Sequence, residues 1–322
     1  MSTLFGFNAF VRFSVETTYG IALLTNPVDL RIISSSLVTT QDRERKTNLS
    51  VPASGMLAGT FDGFRNTNGT VDIPIQYNGS GMMFYLALGT VSTAAVAAYH
   101  VHTYTPDFAL PSATVLFQRG TNLTSSNEQF TGVKVSTMNL SCAAGEEMTG
   151  SFDLIGYDGG VRSTDQTSSF PSGDEALHFE SGNLLLAGTL APSSLEIRSF
   201  ELTLDNKLER KNILGSKLTA EPVISDVREV TMSITCDMDD NSVYTSQLAG
   251  SSGAVSLTFT STADANHFIS ITLSNAIIED YSDAVSSFGR IERSFTVRGL
   301  ASSTDAGLTI KVKNDNPSAT IG

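Results

Sequence analysis

One segment of this chain occurs twice, and that constrains the fold more than any other feature. Residues 37–49 read LVTTQDRERKTNL, and residues 202–214 read LTLDNKLERKNIL. Leucine, a Glu-Arg-Lys triplet and a second leucine recur at the same spacing, 165 positions further along the 322-residue chain. A repeat at this distance predicts a tandem duplication, in which each copy builds a domain of ordinary size.

The same series of segments follows both copies of the repeat. Alternating apolar and polar residues predict strands, and short segments that end in glycine predict helices. In the longest match, Phe130 corresponds to Phe268 and Leu140 to Ile278; in the first, Val71 corresponds to Val230. The pattern predicts two β-domains, residues 1–165 and 166–322, that meet in a polar, turn-rich stretch. The matched segments are 71–77 with 230–236, 79–89 with 239–250, 115–117 with 255–259, 130–140 with 268–278, and 151–156 with 294–299.

Helices are expected only once in each half. Residues 79–89 have Ser80 as a candidate N-cap and Gly89 as a stop, and residues 239–250 end at Gly250. Pro74 lies inside an alternating segment and removes a backbone donor, which predicts an edge strand or a bulge there. A low charged fraction of 16% and 26 glycines agree with a chain of many strands and turns.

Charge and hydropathy exclude several classes of protein. The net charge of −13 and the pI of about 4.7 argue against a nucleic-acid-binding protein, which needs a basic face for phosphates. No apolar run approaches the length of a membrane span, and the first residues have no pattern of an export signal. Cys142 and Cys236 are too few for a disulfide framework and are expected to be free, buried thiols.

No catalytic, cofactor or metal site is predicted, so the chain is not expected to be an enzyme. His100 and His102 alternate on one strand and share a face, but a metal site needs further ligands. Glu146 and Glu147 are adjacent and point apart, which does not suit a glycosidase pair. The acidic stretch 237–241 lacks the spacing of a calcium loop, and a helix cap is the better interpretation.

The chain resembles the major tail tube proteins of long-tailed bacteriophages, in the group with two fused tube domains. Residues 55–68 are the stretch in which the likeness cannot be placed. The motifs that carry it are ETTYG (16–20), YHVHTYTPDFALPSATV (99–115), FTGVKVSTMNLSCAAGEEMTGSFDLIGYD (130–158), IRSFELTLDNKLERKNILGS (197–216) and SFTVRGLASSTDAGLTIKVKND (294–315).

The resemblance implies a mainly β fold, with two tandem β-sandwich or barrel domains that each carry one short α-helix. It also implies that three chains form a ring with pseudo-sixfold symmetry and that rings stack into a hollow tube for viral DNA. Its implied partners are further copies of the chain, a tape measure protein, and tail terminator and tip proteins. The implied location is the virion tail, assembled in the host cytoplasm, without cofactor or membrane.

The repeated charged segments are the candidate contacts between subunits or between rings. Mixed charge favours oriented pairing, although a solvated hairpin tip is the alternative. A different class of function stays open from the residues alone, namely a β-sandwich that binds glycans or another virion surface module. The absence of tryptophan disfavours a glycan site. The candidate contact residues are Glu44, Arg45, Lys46, Glu209, Arg210 and Lys211.

Overall fold

The chain is built almost entirely of antiparallel strands, with one short α-helix in each half. This confirms the mainly β fold. A computed structural model describes residues 9–45, 59–119, 127–162, 164, 166–171, 176–186, 197–237, 241–282, 292–302 and 306–318. The helices are α1 Gly81–Leu88 and α2 Ser242–Leu248. The strands are β1 Phe10–Val15, β2 Val28–Leu30, β3 Ser34–Ser35, β4 Val38–Arg45, β5 Thr60–Pro74, β6 Gly89–Val96, β7 Tyr99–Pro106, β8 Ala113–Gln118, β9 Asn127–Ala143, β10 Thr149–Gly156, β11 Asp158–Arg162, β12 Gly182–Leu186, β13 Ile197–Asp205, β14 Leu208–Lys211, β15 Ala220–Ile224, β16 Glu229–Asp237, β17 Ser252–Thr260, β18 Phe268–Ser282, β19 Glu292–Gly299 and β20 Leu308–Asn314.

A single sheet runs through both halves of the chain. In the first half, β3 and β4 pair with β5, and the order continues through β10 to β9. In the second half the order is β13, β16, β19 and β18. The halves join where β9 pairs with β13, with Leu140 opposite Leu202. A second seam joins them where β20 pairs with β7.

The two halves repeat the same topology. Strands β5, β10, β9, β8 and β1 are neighbours in that order, and β16, β19, β18, β17 and β12 repeat it. Each helix follows the matching strand, α1 after β5 and α2 after β16. The two halves also share a β-bulge. Ser136 has no partner in the register of β9 with β10, and Glu279, at the equivalent place, has none in the register of β18 with β19.

The strand registers test which residues of the two halves correspond. Ser35 lies opposite Val71, and Phe200 lies opposite Ile234, so the spacing of 165 residues seen in the repeated segment holds in the structure. Leu37 and Leu202, which open the two segments, are both buried. Position by position, the repeated segment therefore marks the same place in both halves.

Two of the finer sequence matches were wrong. Val71 corresponds to Ile234 rather than Val230, because both lie opposite a buried phenylalanine of the next strand. Phe130 corresponds to Leu273 rather than Phe268, because it lies opposite Val115 as Leu273 lies opposite Val255. Alternation with a period of two fits several registers equally well, and bulges add further shifts that the sequence does not show.

Both helices begin and end close to the predicted residues. Ser80 is the N-cap of α1, and its hydroxyl accepts a hydrogen bond from the backbone N–H of Gln76 at 2.9 Å. Gly89 ends the helix with a φ of 103°, a conformation that favours glycine. Helix α1 is buried on nearly every side, as its apolar sequence predicts.

Pro74 does not mark an edge strand or a bulge, so that expectation was wrong. It is the last residue of β5 and lies opposite Thr149, while β5 itself is flanked on both sides. A proline is tolerated there because the N–H of Ile75 makes the next hydrogen bond to the carbonyl of Met148, whereas the pairing of β3 with β5 has already ended at Asp72.

Cys142 and Cys236 are free and buried, as expected. Within the described part of the chain, no helix is long and apolar enough to cross a membrane.

The segment that joins the halves is fixed to the first half by a buried ion pair. Arg12 binds Asp29 through two hydrogen bonds of 2.6 and 2.8 Å. The same guanidinium donates to the side chain of Gln166 and to the carbonyl of Thr167, both at 2.8 Å. Asp29 also accepts from the backbone N–H of Ser169. The connection is therefore held in place along these residues.

Candidate assembly surfaces

Among the open edges of the described strands, two correspond to the strands that pair at the internal seam. On one side, β3 and β4 pair only with β5 among the described strands. On the other, the last residues of β18, from Ile278 to Ser282, pair only with β19 in the described residues. We name these the β3–β4 edge and the β18 edge. Unpaired strand edges offer backbone donors and acceptors to another chain.

The seam within the chain, where β9 pairs with β13, is a reference for the two open edges. At this seam β9 pairs with β13, and Met138 lies opposite Leu204 in the buried layer. The β18 edge is the counterpart of this part of β9, and the β3–β4 edge is the counterpart of β13. The two open edges are therefore complementary in kind.

The face of the sheet that points away from the core is polar and acidic. Along one row, Asp72, Ser151, Asn139 and Thr203 lie opposite one another, and Thr231 continues the row. Serine and threonine hydroxyls fill most other positions. The acids on this face are Asp72, Asp153, Glu201, Asp205, Glu229, Glu279, Asp280 and Glu292.

Bases offset only part of this acidic charge. Arg298 binds Glu279 at 2.5 Å, and this hydrogen bond raises the pKa of the arginine. Lys207 binds Asp205 at 2.8 Å, which raises its pKa in the same way. Neither Glu201 nor Asp280 has an ion pair with any residue that the structure describes, so the face keeps a net negative charge.

Each half also extends a hairpin beside the sheet. The first arm consists of β4 and the start of β5, and the second arm consists of β14 and β15. Both carry exposed apolar side chains: Phe61 and Phe64 on the first arm, Leu214 and Val223 on the second. Apolar groups on exposed hairpins indicate surfaces that bind another protein.

The second arm lies against the first. Arg210 donates to the Asn66 side chain at 3.1 Å and to the Thr67 carbonyl at 2.6 Å. Lys217 binds Asp62 at 2.7 Å, and its backbone carbonyl accepts from the N–H of Arg65 at 2.8 Å. Burial lowers the pKa of Arg210, which is half-buried in this contact.

A buried lysine fixes the base of the second arm. Lys134 on β9 is almost fully buried and binds Glu221 of β15 at 2.6 Å. Its ammonium group lies 6.0 Å from the ring centroid of Tyr19. Burial raises the pKa of Tyr19, and the nearby carboxylates of Glu221 and Glu16 add to the rise. The first half thus holds the second arm by this ion pair as well as by the hydrogen bonds of Arg210 and Lys217.

The predicted contact residues fall into different environments. Glu44 and Arg45 are exposed on β4, and neither side chain has a hydrogen bond or ion pair to a described residue. Lys46 lies outside the described residues. Glu209 and Lys211 are exposed on β14, whereas Arg210 contacts the first half of its own chain.

Sequence reasoning missed Lys134, although its signal was present. It stands in an otherwise apolar strand position, and a charge there needs a partner.

The histidines of β7 have neutral partners in the described residues. His102 is buried and contacts Thr93 and Asn314, and burial lowers its pKa. His100 stacks on it at 6.4 Å. Across the described residues, no group of three metal-ligating side chains comes together. Asn241 is the N-cap of α2, which agrees with the cap interpretation for that residue of the acidic stretch.

The motifs that carry the resemblance are therefore placed on one duplicated, open-edged sheet. No curated protein gives a significant match to the sequence. A family profile described as phage tail tube protein matches residues 6–299, which is most of the chain. The chain belongs to the phage tail tube protein family and is a structural component of the virion tail.

Proposed function

We propose that this protein is the subunit of a tail tube, in which chains join head to tail into rings and rings stack around a channel for viral DNA. The observation that carries the proposal is the continuous sheet with complementary open edges. Two different edges that pair with each other form a heterologous interface, and such an interface closes into a ring when the rotation is right.

The duplication supports a ring of three chains. Each chain then supplies two tube domains, residues 1–165 and 166–322, so three chains occupy six similar positions. In this arrangement half of the junctions are internal to a chain, which raises the effective concentration of the paired edges.

The register of the internal seam supplies the register between chains. Thr137 lies opposite Asp205, and Asn139 lies opposite Thr203. By the correspondence of the halves, Asp280 then lies opposite Thr40 of the next chain, and Ser282 opposite Val38. These pairs extend the same sheet around the ring.

The acidic face of the sheet lines the channel in this arrangement. Hydroxyl groups and carboxylates give DNA no apolar surface to adhere to. Uncompensated carboxylates such as Glu201 and Asp280 repel phosphates over a Debye length of about 8–10 Å in physiological salt. A polyanion can therefore slide through without stable contacts.

Stacking uses the exposed parts of the two arms. Glu44, Glu209 and Lys211 supply charge that orients one ring on the next, and Leu214 supplies apolar area. The same surfaces at the ends of the tube meet the tape measure, tail terminator and tip proteins. Assembly takes place in the host cytoplasm.

The test combines microscopy, native mass measurement and a disulfide at the new seam. Purified protein is concentrated and imaged in negative stain, and the mass of isolated rings is measured by native mass spectrometry. In the double variant Val38→Cys/Ser282→Cys, directly opposite residues come close enough for a disulfide, which links chains under oxidation. Rings of three chains and disulfide-linked trimers are expected. A single-chain species at every concentration overturns the proposal, and rings of six full-length chains overturn the threefold count.

A further inference from the structure

We infer that Arg45 binds the second half of the neighbouring chain, at Glu229 and the Val230 carbonyl, as Arg210 binds the first half of its own chain. This inference rests on the proposed ring and adds the charged contact that joins one chain to the next. It assigns Arg45 to contacts within a ring rather than between stacked rings.

The first step is the correspondence of positions. Arg45 and Arg210 occupy the same place in the repeated segment. On the receiving side, Asn66 lies opposite Thr40, and Glu229 lies opposite Asp205. Thr40 and Asp205 are themselves corresponding positions of the repeat. Asn66 therefore corresponds to Glu229, and the next residue, Thr67, corresponds to Val230.

The second step is the contact that already exists. The guanidinium of Arg210 donates one hydrogen bond to the Asn66 side chain and one to the Thr67 carbonyl. At the junction between chains, the guanidinium of Arg45 takes the place of that of Arg210. It donates one hydrogen bond to the carboxylate of Glu229 and one to the carbonyl of Val230. A carboxylate in place of an amide makes the contact charge-assisted and stronger.

The third step is that both groups are accessible. Arg45 is exposed, and its side chain has no hydrogen bond or ion pair to any residue that the structure describes, although its backbone lies opposite Thr60 in the β4–β5 ladder. The side chain of Glu229 is 46% exposed. It contacts Lys207 at 3.3 Å and Arg298 at 3.6 Å, both longer than the other ion pairs of this surface. Its oxygens therefore retain room for another donor.

The fourth step is that other charged contacts of the internal junction have no counterpart between chains. Lys134 lies opposite Ile155, and the corresponding pair is Ile277 opposite Arg298. At the junction between chains an apolar residue, Ile277, therefore stands in place of Lys134, so the ion pair of this buried lysine with Glu221 has no counterpart there. The junction depends correspondingly more on Arg45.

Cross-linking tests the geometry. Chains with Arg45→Cys and chains with Glu229→Cys are purified separately, mixed before assembly and treated with a short bismaleimide. Covalent dimers are expected in the mixture and not in either variant alone. The double variant Arg45→Cys/Glu229→Cys is expected to give covalent trimers. Wild-type protein, whose Cys142 and Cys236 are buried, measures the background.

The outcomes of the cross-linking distinguish failure of the Arg45 contact from failure of the proposed function. Dimers from the Arg45→Cys chain alone mean that identical arms meet across rings, and this overturns the inference. Tubes without cross-linked dimers in the mixture also overturn it. If wild-type protein forms neither rings nor tubes, the proposed function fails instead.

Charge reversal tests the energetics. Arg45→Glu places two carboxylates together, so rings are expected to need about tenfold more protein to form. In the double variant Arg45→Glu/Glu229→Gln the repulsion is removed, so the protein concentration needed for rings falls part of the way to the wild-type value. Lys311→Glu makes the same change of charge at an exposed position of β20, outside the arms and the junction between chains, and leaves ring formation unchanged. Circular dichroism checks that each variant is folded. Rings of Arg45→Glu at the wild-type concentration contradict the inference.

Discussion

Glu16, in the ETTYG motif, is a buried carboxylate with four donors around it. The backbone N–H groups of Gly20 and Gly132 donate to it at 3.0 and 2.9 Å. The hydroxyls of Ser112 and Thr114 donate at 2.8 Å each. These donors come from three separate stretches of the first half, so one side chain fixes the loop after β1 to β8 and β9. Gly132 has a φ of 62°, which suits its place in the β9 bulge.

Glu16→Gln keeps the shape and removes the charge. The amide has one acceptor oxygen and a donating nitrogen, so one backbone N–H loses its partner and faces another donor, and the hydroxyl beside it has to turn and accept. A hydrogen bond to a charged group contributes about 1.5–3 kcal/mol, and the bonds that remain lose this charge. Together these losses cost about 4 kcal/mol, and relief of the buried charge returns part of it. We expect a loss of about 3 kcal/mol in the free energy of unfolding.

Urea unfolding followed by circular dichroism measures this loss, with Glu147→Gln as the matched control. Glu147 is exposed, and its replacement is expected to change the free energy of unfolding by less than about 0.5 kcal/mol. If the two variants differ by less than about 1 kcal/mol, the four hydrogen bonds do not act as the reasoning from charged acceptors requires.

Three further outcomes are expected. Asp29→Asn leaves the buried guanidinium of Arg12 without a counter-charge and should lower the free energy of unfolding in urea by about 3 kcal/mol. Protease cleavage within residues 164–171 should also become faster. An unchanged cleavage rate would count against the ion pair as the anchor of this segment. Burial lowers the pKa of His102, so the unfolded chain takes up its proton first as the pH falls. Unfolding free energy should therefore decline below about pH 6.5, and His102→Gln should flatten that decline; equal slopes would contradict it. Assembled tubes of Asp153→Lys/Glu201→Lys should retain short fluorescent DNA that wild-type tubes release, and equal retention would remove these acids from the channel wall.

The sequence was sufficient to predict both helices, the duplication and the main strands of each half, but not the hairpin of β6 and β7 or the strands of the two arms. Alternating residues located the strands, and Ser80 and Gly89 located the first helix, because caps and stops act locally. The repeated segment was also aligned correctly, since Leu37 and Leu202 occupy equivalent buried positions. These signals depend on neighbouring residues and need no knowledge of the rest of the fold.

The registers and the partners of charged residues could not be predicted in the same way. Phe130 was matched to Phe268 instead of Leu273, because alternation repeats every two positions and the sequence does not show where a bulge occurs. Arg210 was expected at a contact between subunits or rings, yet its partners, Asn66 and Thr67, lie more than 140 positions away in its own chain. Only the pairing of the two arms brings these groups together.

In the proposed ring of three chains, a hairpin present in only one of the described halves distinguishes the junction inside a chain from the junction between chains. The hairpin of β6 and β7 follows α1, and β7 pairs with β20 of the second half. After α2 the chain turns directly into β17, so the second half has no such hairpin to offer a neighbour. By the repeat, β11 is the counterpart of β20, and it would receive that missing strand. The junction inside a chain therefore has an extra seam that the junction between chains lacks. Because the junctions alternate in strength, a ring under stress should open between chains, leaving each pair of fused domains intact.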